Sequence, residues 1–156
     1  ERCLLFVRKR MAAARGRQIY GIGTDIVSVS RVKQLVEKYG EQFLAKAYHP
    51  KEIETFSNRA SQQSRFEFLA SRWAVKEATQ KALSSPRLLF PEMYVNSGGN
   101  GGGKGTGTGK STRPVLEVEG SVQTAFSSAG VCRSHVSMSH EEGRAVATVV
   151  LEEYAS

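Results

Sequence analysis

One carboxylate of this sequence stands where a strand would bury it. Asp25 lies inside the run Gly21-Ile22-Gly23-Thr24-Asp25-Ile26-Val27, which is otherwise mostly apolar. Burying an unpaired carboxylate costs several kcal/mol, so the side chain needs a cation or strong hydrogen bonds. A helix cap, a salt bridge to a lysine and a metal ion are the available interpretations. This segment alone favours the cap or the salt bridge.

A second acid has cations around it. Glu77 lies in a predicted helix close to Arg72, Lys76 and Lys81. Glu77 and Lys81 are four residues apart, which is the spacing of an ordinary surface ion pair. One acid surrounded by arginine and lysine also suits a metal ion bound beside phosphates. Mg²⁺ takes one or two carboxylates and completes its octahedron with water and phosphate oxygens.

A third segment combines hydroxyl groups with an imidazole. Ser137, Ser139 and His140 alternate toward the predicted end of a strand, where the histidine would lie at a turn. A single histidine in such a place is more often structural than catalytic. Two serines and a histidine at a strand end can instead bind a phosphate or a nucleotide, and the residues alone leave both interpretations open.

The elements that must position these residues form an α+β pattern. Apolar residues recur at helical spacing from Val29 to Tyr39, with Ser28 or Ser30 as the cap, and Gly40 is typical of a helix end. Strands and helices are segregated along the chain instead of alternating regularly, which favours α+β over a parallel α/β sheet. The predicted elements are a strand at 19–27, three helices at 29–40, 50–59 and 62–83, and strands at 93–96, 115–119, 131–139 and 144–151, the last two forming a hairpin around 140–143.

The glycine-rich tract 97–111 is predicted to be a flexible, disordered insertion. It contains eight glycines in fifteen residues and has nothing that can pack. Its end, Gly109-Lys110-Ser111, resembles a phosphate-binding loop, but Lys104 stands where that motif needs a glycine and a strand follows instead of a helix. Gly21-Ile22-Gly23 is likewise no dinucleotide motif, because Ile26 occupies the place of the third glycine.

Bulk composition indicates one soluble domain with a basic surface. The chain has 156 residues, 40% hydrophobic, and a formal net charge of +7. Two distant cysteines indicate no disulfide framework, and no apolar run is long enough to span a membrane. Residues 1–17 form an Arg-rich arm that suits a transit-peptide remnant, a disordered arm or a cloning artefact, and Met11 is an alternative start. Residues 18–156 form the predicted domain.

Three segments, in this order and spacing, resemble the holo-[acyl-carrier-protein] synthase family of phosphopantetheinyl transferases. The matching runs are Gly21-Ile22-Gly23-Thr24-Asp25-Ile26-Val27, Glu67-Phe68-Leu69-Ala70-Ser71-Arg72-Trp73-Ala74-Val75-Lys76-Glu77-Ala78 followed by Lys81-Ala82-Leu83, and Ser137-Met138-Ser139-His140. The resemblance covers residues 20–152. It implies transfer of 4′-phosphopantetheine from coenzyme A to a serine of an acyl carrier protein, leaving adenosine 3′,5′-bisphosphate.

The resemblance also implies roles for individual residues. Asp25 and Glu77 match magnesium ligands that meet the coenzyme A pyrophosphate. Lys81 matches a lysine that contacts the phosphates and protonates the leaving group. A metal-bound water or a nearby carboxylate would take the serine proton. The residues expected to bind coenzyme A are Arg72, Lys76, Ser139 and His140.

The family's short members are homotrimers with active sites between subunits, and the length of this chain resembles theirs. Their first helix offers basic residues to an acidic carrier protein. Arg31 matches one of these basic residues. Lys33 and Lys38 are further candidates because they lie in the same predicted helix. We expect a role in fatty acid or lipid metabolism, no nucleic-acid or membrane partner, and a location in the cytoplasm or, given the basic arm, the mitochondrial matrix.

The sequence departs from the family pattern on the pantetheine side of the expected site. Ser84-Ser85-Pro86 stands in place of a glycine-rich turn, Ser71 replaces a usual glycine, and Thr112-Arg113-Pro114 stands in place of Gly-Lys-Pro. Two other functions remain open from the residues alone. One is a basic nucleic-acid-binding domain, and the other is a non-catalytic domain that binds coenzyme A or a carrier protein.

Overall fold

The chain builds antiparallel strands from its two ends, with helices between them. The computed structural model describes residues 16–85, 87–96 and 113–155, so the predicted arm up to residue 15 and the glycine-rich tract 97–111 lie outside the described residues. The described elements are β1 (Arg17–Ser28), α1 (Val29–Ala47), α2 (Pro50–Ser57), α3 (Gln62–Leu83), a 3₁₀ turn (Phe90–Glu92), β2 (Met93–Asn96), β3 (Val115–Val118), α4 (Gly120–Ser128), β4 (Val131–Glu141) and β5 (Arg144–Tyr154).

The main sheet has the strand order β1-β5-β4 and is antiparallel throughout. β1 pairs with β5 from Arg17↔Tyr154 to Ser28↔Arg144, so the first and last described strands close the domain together. β2 and β3 form a separate antiparallel pair. The predicted α+β class is confirmed, and β1 begins at Arg17, one residue inside the predicted arm.

Helix α3 packs on β1 and β5 and forms the centre of the core. Two glycines of β1 make this contact unusually close. A Cβ built on Gly21 would lie 2.0 Å from the carbonyl oxygen of Ala82, and one built on Gly23 would lie 1.9 Å from that of Ala78. The Gly-Ile-Gly run therefore serves helix–strand packing, and the small alanines opposite it serve the same purpose.

The prediction that the first helix ends at Gly40 was wrong. Gly40 adopts φ 53° and ψ −133°, which bends α1 without ending it, and a second helical segment runs to Ala47. Leu44 and Ala47 are buried there, and the ring of Phe43 stacks on Trp73 at 5.4 Å. Tertiary packing thus continues the helix beyond a residue that normally ends one.

The described residues form four α-helices where three were predicted, and the missed one, α4, has a weak sequence signal. Its nine residues are rich in serine and bury only Val122 and Phe126. Glu92, from the 3₁₀ turn, caps the first turn of α4. Its carboxylate accepts hydrogen bonds from the backbone amides of Ser121 at 2.6 Å and Val122 at 3.2 Å. A capping group so distant in sequence cannot be found from the local pattern.

The remaining boundaries differ slightly from the prediction. α3 spans the predicted residues 62–83, whereas the β4–β5 turn is only Glu142 and Gly143. His140 therefore lies within β4, paired with Ala145, and not in the turn. Within the residues that the structure describes, no helix combines the length and apolar character needed to cross a bilayer.

Candidate active site

Asp25 and Lys81 meet at the β1 flank of α3. Strand alternation places Asp25 on the same face as Gly21 and Gly23, toward the helix. The Lys81 ammonium donates to the Asp25 carboxylate at 2.8 Å and to the Thr24 carbonyl oxygen at 2.9 Å. The salt-bridge interpretation of Asp25 is therefore correct for this structure. The side chains are 18% and 53% exposed, so the pair is open to a ligand.

Glu77 lies one helical turn before Lys81 and is half-buried. The predicted surface pair between Glu77 and Lys81 is not formed, because Lys81 turns to Asp25 instead. Across the described parts of the chain, Glu77 has no hydrogen bond or ion pair. Carboxylate oxygens are ligands that suit Mg²⁺, and Glu77 lies one helical turn from the lysine that holds the second carboxylate, Asp25.

Arg72 occupies the opposite flank of the same helix. Five residues separate it from Glu77, which turns the two side chains roughly 140° apart around the axis. The Arg72 guanidinium lies against β4, 3.3 Å from the sulfur of Met138, and 4.3 Å from the ring centre of Phe68. Burial lowers the pKa of Arg72 to about 10, an effect that Glu52 opposes and Arg59 reinforces.

His140 and Ser139 lie at the end of β4, on the Arg72 flank of the sheet. The His140 imidazole Nδ1 is 4.0 Å from a carboxylate oxygen of Glu67. Glu67 in turn accepts a hydrogen bond from the Gln63 amide at 2.8 Å. His140 and Ser139 are both exposed, so each remains available to a ligand at this edge. Glu67 gave no functional signal in the sequence beyond its place in the family run.

The structure corrects the assignment of Lys76 to coenzyme A. Lys76 is 1% exposed, and its ammonium bonds the Glu52 carboxylate at 2.9 Å and the carbonyl oxygens of Phe90 and Met93. All three of its donors are occupied inside the core. Burial lowers the pKa of Lys76, and Glu52 opposes that effect. Lys76 is therefore a structural residue, and the sequence could not separate it from Lys81.

The three basic residues of α1 fall on different surfaces. Arg31 and Lys38 are exposed and seven positions apart, which places them on one face of the helix. Lys33 points elsewhere: it pairs with Glu37 at 3.7 Å and lines an open cavity of about 580 Å³ between the starts of α1 and α3 and the β4–β5 turn. The structure brings Arg31 and Lys38 together and separates Lys33 from them.

The chain is similar to known proteins in sequence and in fold. The profile of the 4′-phosphopantetheinyl transferase superfamily matches residues 21–117. A holo-[acyl-carrier-protein] synthase of Halothermothrix orenii is 36% identical over 137 residues, which cover 86% of this chain and 98% of that protein.

Two solved structures share the fold. The holo-[acyl-carrier-protein] synthase of Neisseria meningitidis aligns with a TM-score of 0.70 and 29% identity, covering 86% of this chain and 98% of that one. A holo-(acyl-carrier-protein) synthase of Bacillus anthracis, solved in complex with CoA (3′,5′-ADP), aligns with a TM-score of 0.64 and 25% identity. The alignment covers 86% of this chain and 97% of that one. Because the profile spans more than half of the chain and the Halothermothrix relative spans most of it, this protein belongs to the 4′-phosphopantetheinyl transferase superfamily.

Proposed function

We propose that this protein is a holo-[acyl-carrier-protein] synthase that uses Mg²⁺. It transfers 4′-phosphopantetheine from coenzyme A to a serine of an apo acyl carrier protein and releases adenosine 3′,5′-bisphosphate. The observation that carries the proposal is the contact of Lys81 with Asp25 beside Glu77, a carboxylate without a partner in the described residues. The curated relative of this name and the Bacillus anthracis complex support it.

The chemistry requires neutralisation of phosphate charge more than covalent help from the protein. The serine oxygen forms a bond to the phosphorus that carries pantetheine, and the pyrophosphate P–O bond breaks. Mg²⁺ held by Asp25 and Glu77 would offset the charge of the pyrophosphate when bound. Lys81, already aimed at this flank by the Thr24 carbonyl oxygen, would contact the phosphates and donate a proton to the leaving group.

The exposed face of α1 offers a docking surface for an acidic carrier protein. Arg31 and Lys38 lie on that face, and Lys38 is held beside the ring of Tyr39, 4.9 Å from its centre. Long-range attraction between this face and an acidic partner would raise the association rate. Lys33 is a weaker candidate, since its ammonium already pairs with Glu37.

The expected site residues lie on two sides of α3, one next to β1 and the other next to β4. This separation supports a site shared between copies of the chain. Asp25 lies on β1 and His140 on β4, which are opposite edges of the sheet, and α3 separates Glu77 from Arg72. Within one chain, the width of the sheet therefore separates Asp25 from His140. A head-to-tail ring would bring the β1 flank of one copy to the β4 flank of the next.

Apolar residues on the outer side of β1 suit such a ring. Ile19, Ile22 and Ile26 are 60%, 59% and 59% exposed. Large apolar side chains grouped on a strand are typical of a covered surface. We expect a homotrimer, which light scattering coupled to size exclusion would detect. Co-expression of Asp25→Ala with Arg72→Gln chains should restore the activity that each lacks alone, because mixed rings contain one intact site. Failure to restore it would place the whole site in one chain.

The transfer itself is tested by mass spectrometry of the carrier protein. Apo carrier proteins of the fatty-acid and polyketide types are incubated with the wild-type protein, coenzyme A and Mg²⁺. A gain of one phosphopantetheine mass, lost on chelation and recovered when Mg²⁺ is returned, is the expected result. No gain with any carrier protein would reject the proposal, and a gain that survives chelation would reject the role of the metal.

A further inference from the structure

Each of the three histidines lies near a glutamate, and His140 differs from the other two in the nitrogen that it presents. His49 and His135 face their carboxylates through Nε2, at 3.5 Å and 3.3 Å. His140 faces Glu67 through Nδ1, at 4.0 Å. Its Nε2 therefore lies on the far side of the ring from the carboxylate. Because the His140 side chain is 54% exposed, this outer nitrogen is open to a ligand.

The carboxylate of Glu67 is held in place by its own helix. One of its oxygens accepts a hydrogen bond from the Gln63 amide at 2.8 Å, and the two residues are four positions apart on α3. The other oxygen is the one that faces His140. The Glu67 side chain is 23% exposed, less than half the value for His140. The carboxylate is therefore the better-fixed group of the pair and can set the direction of the ring.

A carboxylate at one nitrogen of an imidazole determines what the other nitrogen can do. When Nδ1 donates to Glu67 and a phosphate oxygen accepts from Nε2, the ring carries both protons and lies between two anions. The separation of 4.0 Å is longer than a hydrogen bond. Contacts of this kind are often long in a free enzyme and shorten when the ligand binds.

We infer that Glu67 is a positioning residue that holds the His140 imidazole with Nε2 toward the phosphates of coenzyme A. The inference rests on the proposed function, because it takes coenzyme A as the ligand that His140 meets. Glu67 acts through the ring and needs no contact with coenzyme A itself. A carboxylate that only lay near the phosphates would repel them and weaken binding. The two roles therefore predict opposite changes of affinity when the carboxylate is removed.

Calorimetry of coenzyme A binding in the presence of Mg²⁺, together with the KM and kcat of transfer, tests the inference. Glu67→Ala should weaken binding about tenfold and raise KM to match, because an oriented hydrogen bond to a charged group is lost. The kcat should stay close to the wild-type value. Glu67→Gln should recover most of the affinity, since its amide oxygen can still accept from Nδ1.

Two further variants separate positioning from a general effect of charge. In a His140→Ala background, Glu67→Ala should change the affinity about twofold or less, because the ring through which it acts is gone. Glu142→Ala is the matched control. Glu142 lines the same open cavity as Glu67 and forms no ion pair with a histidine among the described residues. Its loss removes a similar charge and should leave binding at least as tight as in the wild-type protein.

Unchanged or tighter binding by Glu67→Ala would overturn the inference, and so would an equal loss with and without the His140 ring. Should Glu67→Ala fail to fold, Glu67→Asp decides, because it keeps the charge but withdraws the carboxylate by one methylene group. Weaker binding by Glu67→Asp supports the inference, and unchanged binding overturns it.

The proposed function is judged separately, by transfer. A protein that binds coenzyme A through Glu67 and His140 but modifies no carrier protein would retain the inference and reject the enzyme. Transfer by a protein whose affinity is unchanged in Glu67→Ala would reject the inference alone. A wild-type protein that binds no coenzyme A would overturn both.

Discussion

Helix α3 carries two lysines that each meet an acid from a distant element, and the two pairs serve opposite purposes. Lys76 and Glu52 are buried, with side chains 1% and 3% exposed, whereas Lys81 and Asp25 are 53% and 18% exposed. The Glu52 carboxylate also accepts from the amides of His49 at 3.2 Å and Val95 at 3.3 Å. The buried pair therefore joins three segments and has no free donor on its lysine.

The difference shows which pair can exchange its partner for a ligand. Separating Lys76 from Glu52 would leave an unpaired charge in the core, which is strongly unfavourable. The buried pair therefore holds α2, α3 and β2 together. Separating Lys81 from Asp25 exposes both side chains to water at little cost in free energy. The carboxylate is then available to a metal ion and the ammonium to phosphates. A lysine paired with a carboxylate thus makes a structural link at one position and, in the proposed function, a ligand site at the other.

Removing the buried lysine tests the first half of this comparison. Lys76→Met should lower the free energy of unfolding by about 3–5 kcal/mol, because Glu52 is left buried without its cation. Denaturant unfolding measures the loss. The double change Glu52→Gln with Lys76→Met should recover part of it, since no charge is left buried and the single carbonyl oxygen of glutamine can still accept from one of the two backbone amides. No loss in the single variant would show that the pair is not a structural link.

Widening the gap between β1 and α3 should disturb the open pair. Gly23→Ala places a Cβ against the carbonyl oxygen of Ala78 and should cost about 3 kcal/mol by overpacking. The strand must shift, and Lys81 should then lose its contact with Asp25. Thermal unfolding and transfer rate measure the two effects. Gly16→Ala is the control, because no atom lies within 4 Å of its Cβ position; equal behaviour of the two variants would contradict the close-packing role.

Removing the exposed lysine tests the second half of the comparison. Lys81→Met should change the free energy of unfolding by about 1 kcal/mol or less, since an exposed ion pair contributes little. Measured under the same denaturant conditions as Lys76→Met, it should retain nearly wild-type stability. A loss as large as that of Lys76→Met would show that both pairs are structural and would remove the distinction.

The smallest expected effect concerns the turn that follows Lys81. Ser84 ends α3 with φ 52°, in the left-handed region that favours glycine. Ser84→Gly should raise the free energy of unfolding by about 1 kcal/mol or less, because glycine enters this conformation without strain. Ser85→Gly, at a residue without a positive φ, should give no gain, and a gain there would point to a general effect of glycine.

The sequence predicted the residues of the open pair better than the environment of each. Asp25 and Lys81 were singled out from their types and from the order of three motifs, as was Glu77 one turn before Lys81, and α3 was predicted from its period. Lys76 was misassigned because burial is decided by Glu52, 24 positions earlier in the chain, and by two backbone carbonyl groups. α4 was missed because its cap, Glu92, is distant in sequence.

The most direct test of the account is the rate at which apo carrier protein gains phosphopantetheine, measured per folded molecule for several variants at a temperature where all are native. Asp25→Ala and Glu77→Ala should each lower the rate by about a hundredfold or more while keeping the fold, because stabilisation of the phosphate charge is lost. Lys76→Met should keep close to the wild-type rate, although it unfolds earlier. Transfer retained by Asp25→Ala and Glu77→Ala, or lost by a folded Lys76→Met, would contradict the assignment of the site to Asp25, Glu77 and Lys81.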